Sequence, residues 1–302
     1  MSKISVLPEV LFKHGFSNET HAFRYRPDTT TKVGEFDRNY SIEEISDAVI
    51  WHAAIGTLND PFEVYAKSNR KELQQLSENE WFNLWANCFV RHTFRNTYWN
   101  ALSTNELKKY FNNNIIFEKL FMIDRFESYD FFSDFIKDFR DIVAIASFTE
   151  KPDSRLMWGY YCLGMKGFCI IYNRNELINS HIRLDEVEYG KTGIEVNAMD
   201  HAYSYRTKRD DEILTKIPMF KHEEWLHECE LRSLCKLDGA DIGFGRPLPL
   251  KSKCVDGVII GDKVTQATRS KLEDLSKKLN FKLFSAKANL ENFIVEISEY
   301  QK

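Results

Sequence analysis

Ile142-Val143-Ala144-Ile145-Ala146-Ser147-Phe148 and, further on, Gly167-Phe168-Cys169-Ile170-Ile171-Tyr172 decide how this chain folds. Both are short runs of β-branched and aromatic residues bounded by polar or glycine-containing segments, the pattern of buried strands. Towards the C-terminus, Arg183–Tyr189 and Cys229–Cys235 alternate as strands do. Val255–Gly261 reads as a short strand ending in Gly, and Gln266–Leu279 as a helix. Strands at Phe281–Ala286 and near Phe293–Ile297 close the chain. Towards the N-terminus, Ile42, Ile45 and Val49 have helical spacing, and Val49–Ala54 has the compactness of a strand before Asn59-Asp60-Pro61 stops it. Trp81, Leu84, Trp85, Cys88 and Phe89, and then Tyr110, Ile115, Phe117, Leu120 and Phe121, recur every three or four residues as in amphipathic helices, with a turn at Asn112–Asn114. The order predicts an α+β fold: an antiparallel or mixed β-sheet core in a single domain over residues 1–302, with a helical insertion over about residues 76–140. No Gly-x-Gly-x-x-Gly and no Walker loop is present, which argues against a doubly wound nucleotide fold.

Composition narrows the function classes. With 43% hydrophobic residues in 302, the chain can fill a core, so disorder is excluded as its main state. The balance of 41 Lys+Arg against 45 Asp+Glu leaves a charge of −4, so any nucleic-acid contact is expected to be local. Lysines and arginines at Lys208, Arg209, Lys216, Lys221, Lys251 and Lys253 offer either such a basic rim or a solvated face. No apolar window is long enough to cross a bilayer and the start lacks a secretory run, so a cytoplasmic protein without a membrane partner is expected. Six scattered cysteines without a Cys-x-x-Cys pair predict reduced, buried thiols and no metal site.

Three constellations carry possible chemistry. The first joins Phe23-Arg24-Tyr25-Arg26-Pro27 to Asn59-Asp60-Pro61-Phe62-Glu63, whose turn suits local capping or ligand contact. In the second, Ser147 and Thr149 face away from Ala146 and Phe148, and Met157, Trp158, Tyr160 and Tyr161 follow beside Gly159 and Gly164. Such an aromatic stripe is ordinarily core packing; it also suits the wall of a site for a flat ring. The third is Lys221 to Arg232: on a strand, Glu228, Glu230 and Arg232 share one face. The bland reading is a solvated face on which Arg232 neutralises Glu230. Paired carboxylates also stabilise an oxocarbenium ion or take a proton from a nucleophile, as glycosyl transfer requires.

The combination of Arg24-Tyr25-Arg26, Asn59–Glu63, Leu156–Tyr161, Lys166–Ile170 and Lys221 with Trp225, Glu228, Glu230 and Arg232 resembles the bacterial family catalogued as domain of unknown function 2971, from about Phe23 to Gly261. More distantly, the motif order is similar to that of ADP-ribosyltransferases, whose core is a split sheet. One subgroup has an Arg on its first strand, then Ser-Thr-Ser, then Glu-x-Glu. Here Arg24, Ser147-Phe148-Thr149 and Glu228-Cys229-Glu230 take those places, with Phe148 where Thr is usual. The resemblance implies NAD as the split nucleotide, bound by Arg24 and Tyr25, with Asn59 and Asp60 at the rim, Ser147 and Thr149 orienting the strand, and Trp158, Tyr160 or Tyr161 against nicotinamide. It implies Glu230 at the oxocarbenium centre and Glu228 serving the acceptor. The acceptor would be RNA or protein, the biology that of a toxin or phage-defence effector, and an antitoxin or inhibitor protein a further partner. Two other readings stay open: a binding module without catalysis, and a metal-dependent nuclease using Asp60, Glu228 and Glu230.

Overall fold

The computed structural model describes residues 7–64, 66–69, 75–86, 101–127, 130–197, 216–251 and 253–301. The chain divides into two compact units: Met1–Leu58, Ile142–Tyr189 and Glu223–Lys302 form the first, Asn59–Asp141 and Gly190–His222 the second. The helical block expected over residues 76–140 thus falls in a unit that begins earlier and takes in a later segment.

The first unit is built on a ten-stranded mixed sheet. Its strands are β1 (His21–Pro27), β2 (Val49–Ala54), β3 (Val143–Thr149), β4 (Gly167–Asn173), β5 (Asp185–Glu186), β6 (Glu230–Lys236), β7 (Gly245–Pro249), β8 (Val255–Gly261), β9 (Lys282–Asn289) and β10 (Ile294–Glu299). Among the described pairings of this sheet only β8–β9 is parallel. The helix Gln266–Leu279 makes that crossover, started by Thr265, whose hydroxyl accepts from the Thr268 N–H. On one face, Ala22, Ala146, Phe148, Phe168, Ile170 and Leu231 pack with Ile42 and Ile45 of the helix Tyr40–Ser46 and with Leu272. On the other, Phe23, Tyr25, Cys169, Ile171, Ile259 and Phe284 pack with Leu11, Met157 and Trp158. Neither β2, β3 nor β6 contributes to this second cluster.

The strand β3 makes an unusual junction. Strand β6 runs along it from Glu230 opposite Thr149 to Lys236 opposite Val143. A strand has two edges, so its other partners share the remaining one: β2 pairs Ala53 with Ile145 and Ala54 with Ala144, and β1 meets it only at Phe23 opposite Thr149. The edge is forked at Ala146–Phe148. Elsewhere the alternation expected over Arg183–Tyr189 is broken into Asp185–Glu186 and Glu188–Gly190, of which the first alone joins the large sheet, through β6.

In the second unit, Ala66–Asn69 pairs in parallel with Ile194–Asn197. Its helices Glu78–Leu84 and Thr104–Asn113 each begin with a Ser-x-x-Glu capping box, Ser77 with Glu80 and Ser103 with Glu106. Trp81, Leu84, Trp85, Leu107, Phe111 and Met122 form the core, with Phe121 partly buried against it; Cys88 and Phe89 lie outside the described residues. Trp85 is 3% exposed and its indole N–H donates to Glu118 Oε2 at 2.7 Å. Trp85→Ala is therefore expected to cost about 3–5 kcal/mol. Urea denaturation followed by near-UV circular dichroism checks it, and a midpoint equal to the parent's would place Trp85 outside the core.

Candidate functional site

Arg24 sits beneath the fork. It is 7% exposed and projects from β1 towards Phe148, with its guanidinium carbon 5.2 Å from that ring. Nη1 donates to the Ser147 carbonyl at 3.2 Å and Nη2 to the Trp51 carbonyl at 3.0 Å, so one side chain spans the two strands where they part. Nε lies 3.0 Å from Glu44 Oε1, outside directed hydrogen-bond geometry, and Arg26 Nε lies 3.2 Å from Glu44 Oε2. Tyr172 Oη also donates to Glu44, which is 2% exposed. Burial lowers the affinity of Arg24 for its proton and pushes the Tyr172 phenol well up. The side chain assigned to NAD phosphates is thus held by two carbonyls and a buried carboxylate.

On the opposite face of β3, Ser147 is exposed and stands opposite Arg232 in register, while Thr149 stands opposite Glu230. Arg232 clamps Glu230 with two hydrogen bonds, Nε to Oε1 at 2.9 Å and Nη2 to Oε2 at 3.0 Å; the side chains are 1% and 3% exposed. The pairing expected of these residues is present, but it is buried, not solvated. Glu228 departs from the sequence expectation: it ends the 3₁₀ turn Glu223–Glu228, and Cys229 follows at φ +43°, so the strand begins only at Glu230. A left-handed residue breaks the alternation that would have placed both glutamates on one strand face. Glu228 is nonetheless fixed nearby. Tyr161 Oη donates to its Oε1 at 2.7 Å, and Thr149 Oγ1 donates to its carbonyl at 2.5 Å. The backbone N–H of Glu230 donates to Tyr189 Oη at 2.9 Å.

The aromatic residues divide by exposure. Trp158 is 1% exposed and donates to the Pro152 carbonyl; Tyr25, at 8%, donates to the Lys151 carbonyl and meets Trp158 edge-on. With the Lys151 N–H donating to Thr149 Oγ1, these contacts pin the loop after β3. Trp158 and Tyr25 are core residues whose polar ends hold that loop. Tyr160 stays 61% exposed. In the second unit, Asp60 Oδ1 accepts from the Phe62 N–H at 2.8 Å, the turn-capping arrangement, and Asn59 is exposed. Lys221 is 7% exposed and lies 3.6 Å from Glu63, so it forms no basic rim. Lys208 and Arg209 lie outside the described residues.

Beneath the same fork, His52 is fully buried. With Nδ1–H donating to the Ile50 carbonyl, Nε2 accepts from Ser233. Burial, reinforced by the Arg24 charge, lowers its pKa to about 4 from 6.5. The unfolded chain then binds more protons between those values, so stability is full above about pH 6.5 and falls as the pH drops towards 4, by about 3 kcal/mol at most. Denaturation midpoints across that range check this; a His52→Gln variant that declines as steeply as the parent assigns the loss elsewhere.

No protein-family model, curated protein or solved structure matches the chain. Among the described residues no three His, Cys, Asp or Glu side chains group to hold a metal ion, and no helix is long and apolar enough to cross a membrane. Of the described cysteines, Cys162, Cys169 and Cys254 are buried, while Cys229 and Cys235 are partly so. What the geometry assembles is a serine hydroxyl, two separately anchored carboxylates and a guanidinium on and beside one strand pair. Two contributors escaped the sequence reading. Glu44 stands in a helix whose Ile42 and Ile45 already account for the buried face, so no pattern marks it. For Trp51 the signal is the alternation of Val49–Ala54: with Ile50, His52 and Ala54 turned inward, their alternates must turn out.

Proposed function

We propose that this chain is an NAD-dependent ADP-ribosyltransferase, in keeping with the families its motifs resemble. The observation that carries the reading is the β3–β6 pairing beside a forked edge. It brings Ser147 and Thr149 alongside Glu230, with Glu228 tied to Thr149. In the reaction, the bond between the ribose C1′ and the nicotinamide nitrogen breaks, and its electron pair leaves with nicotinamide as a neutral molecule. The ribose becomes oxocarbenium-like, and a carboxylate fixed near that charge lowers the barrier. Glu230 takes this role, and Arg232 holds it in place. Glu228, oriented by Tyr161, takes the proton of the acceptor as its oxygen or nitrogen attacks C1′. Tyr161 is then a positioning residue and Tyr160 the exposed aromatic for nicotinamide. The acceptor is RNA or protein, in a toxin or phage-defence setting where an inhibitor protein is a natural partner.

The bidentate Arg232 clamp favours a second reading, a nucleotide-binding module without turnover, since a neutralised carboxylate is a weaker electrostatic catalyst. Purified protein incubated with NAD labelled in its adenylate and with cell extract separates the two. Label on RNA or protein supports transfer, whereas folded protein that binds NAD without labelling any acceptor or releasing nicotinamide supports the second.

A further inference from the structure

The mechanism above uses nothing from the start of β1, where a hydroxyl, an imidazole and a carboxylate stand in line. Thr20 Oγ1 lies 2.8 Å from His21 Nδ1, and His21 Nε2 lies 3.2 Å from Asp256 Oδ2. Asp256 reaches the ring through an irregularity of β8: Val255 stands opposite Tyr172 and Gly257 opposite the adjacent Ile171, so Asp256 is an extra, bulged residue between them. Bulges re-aim side chains in this way. Asn173, opposite His21 at the end of β4, donates its side-chain N–H to the same Asp256 oxygen at 3.0 Å.

The proton positions follow from this order. An ionised carboxylate only accepts, so the proton between Asp256 and His21 sits on Nε2 and leaves Nδ1 of the neutral ring as an acceptor. The Thr20 hydroxyl then donates to Nδ1, and Ser17 Oγ, 2.8 Å from Thr20 Oγ1, donates to Thr20. Burial holds the imidazole below its ordinary pKa against the pull of Asp256, so it is a free base at neutral pH. Its side chain is 8% exposed, whereas Thr20 is exposed. A solute can therefore reach the hydroxyl while the base stays shielded behind it. The nearby cation, Arg174, donates to Glu150 at 2.9 Å and to the His21 carbonyl at 3.0 Å, so the charge of Asp256 leaves this corner negative and favours uncharged over anionic substrates.

We propose that Thr20 is a nucleophile for acyl transfer from uncharged activated esters, with His21 as its general base and Asp256 as the residue that positions the imidazole. The proposal is independent of the NAD reading. Thr20 Oγ1 bonds to the ester carbonyl carbon as its proton passes to His21 Nδ1. The bond from that carbon to the leaving alcohol then breaks, and the alcohol departs with the proton from His21. Water repeats the two steps on the Thr20 ester, which releases the carboxylic acid and restores the hydroxyl.

The test is rapid mixing of the full chain with p-nitrophenyl acetate, followed by mass spectrometry of the quenched protein. A burst of about one equivalent of p-nitrophenolate is expected, with an acetyl group on the peptide that contains Thr20. Because Thr20 is exposed, Thr20→Val is expected to melt near the parent and to lose both burst and adduct, while Thr20→Ser keeps them. His21→Gln is expected to slow acylation by about 10²-fold or more. Asp256→Asn is expected to slow it too and to move the midpoint of its pH profile downward, since the anion that holds the imidazole proton is gone; a merely structural Asp256 would leave that midpoint in place and would be removed from the relay. A burst of equal size in Thr20→Val and parent, or acetylation confined to other residues, overturns the proposal. So does a folded parent that shows no burst.

Discussion

Arg24→Ala is expected to destabilise the first unit by about 3–5 kcal/mol, an effect as large as removal of a core tryptophan. Three losses coincide. Glu44, 2% exposed, keeps Arg26 and Tyr172 as its partners among the described residues, which leaves a buried carboxylate less compensated. The Ser147 and Trp51 carbonyls lose the donor that reaches them where β1 and β2 part from β3. Phe148 loses the guanidinium stacked over its ring. Arg24→Lys keeps a charge near Glu44 but cannot fork onto two carbonyls, so it is expected to recover part of the loss. Chemical denaturation and NAD titration of both variants form the measurement. An unchanged midpoint with weaker NAD binding would make Arg24 a phosphate ligand and remove it as the brace of the fork.

The contrast between what was legible and what was not follows from the range of the interactions. Val49–Ala54 and Gln266–Leu279 form over the residues their local patterns predict, because alternation, an N-cap threonine and helical spacing act within a few residues. The side chain of Ser147 faces away from Phe148, as alternation requires. The fork has no local signal: it depends on which edge of β3 is taken by β2 and β1, strands remote from it in sequence. The same holds for Arg24, whose partner is Glu44; a core-edge carboxylate is a natural expectation for an arginine on a buried strand, but Glu63, the candidate nearest in motif, pairs with Lys221. Glu228 shows a different limit. Alternating letters promised a continuous strand, and a non-glycine residue at positive φ, Cys229, delays its start to Glu230. The functional consequence is that the two carboxylates are positioned by different elements and held by different donors, Tyr161 for one and Arg232 for the other.

That separation decides how the central glutamate must be tested. On the transfer reading, Glu230→Gln is expected to lower ADP-ribose transfer by about 10²–10³-fold, since it keeps shape and removes the charge that faces the oxocarbenium ion. The same change leaves Arg232, 1% exposed, without its counter-charge, and breaking a buried pair from one side costs about 3–5 kcal/mol. A dead single variant would therefore be explained equally well by misfolding. Replacing both partners, Glu230→Gln with Arg232→Met, removes both charges of the pair while keeping volume, and neutral replacements of buried pairs commonly restore stability. The double variant is expected to melt near the parent, to bind NAD, and to remain as inactive as the single one. Arg232→Met alone is expected to unfold readily, because it removes both donors that clamp a buried carboxylate. Transfer regained in the double variant would show that Glu230 serves only to neutralise Arg232, and the carboxylate at the reacting carbon would then have to be Glu228, whose tie to Tyr161 is untouched by either substitution.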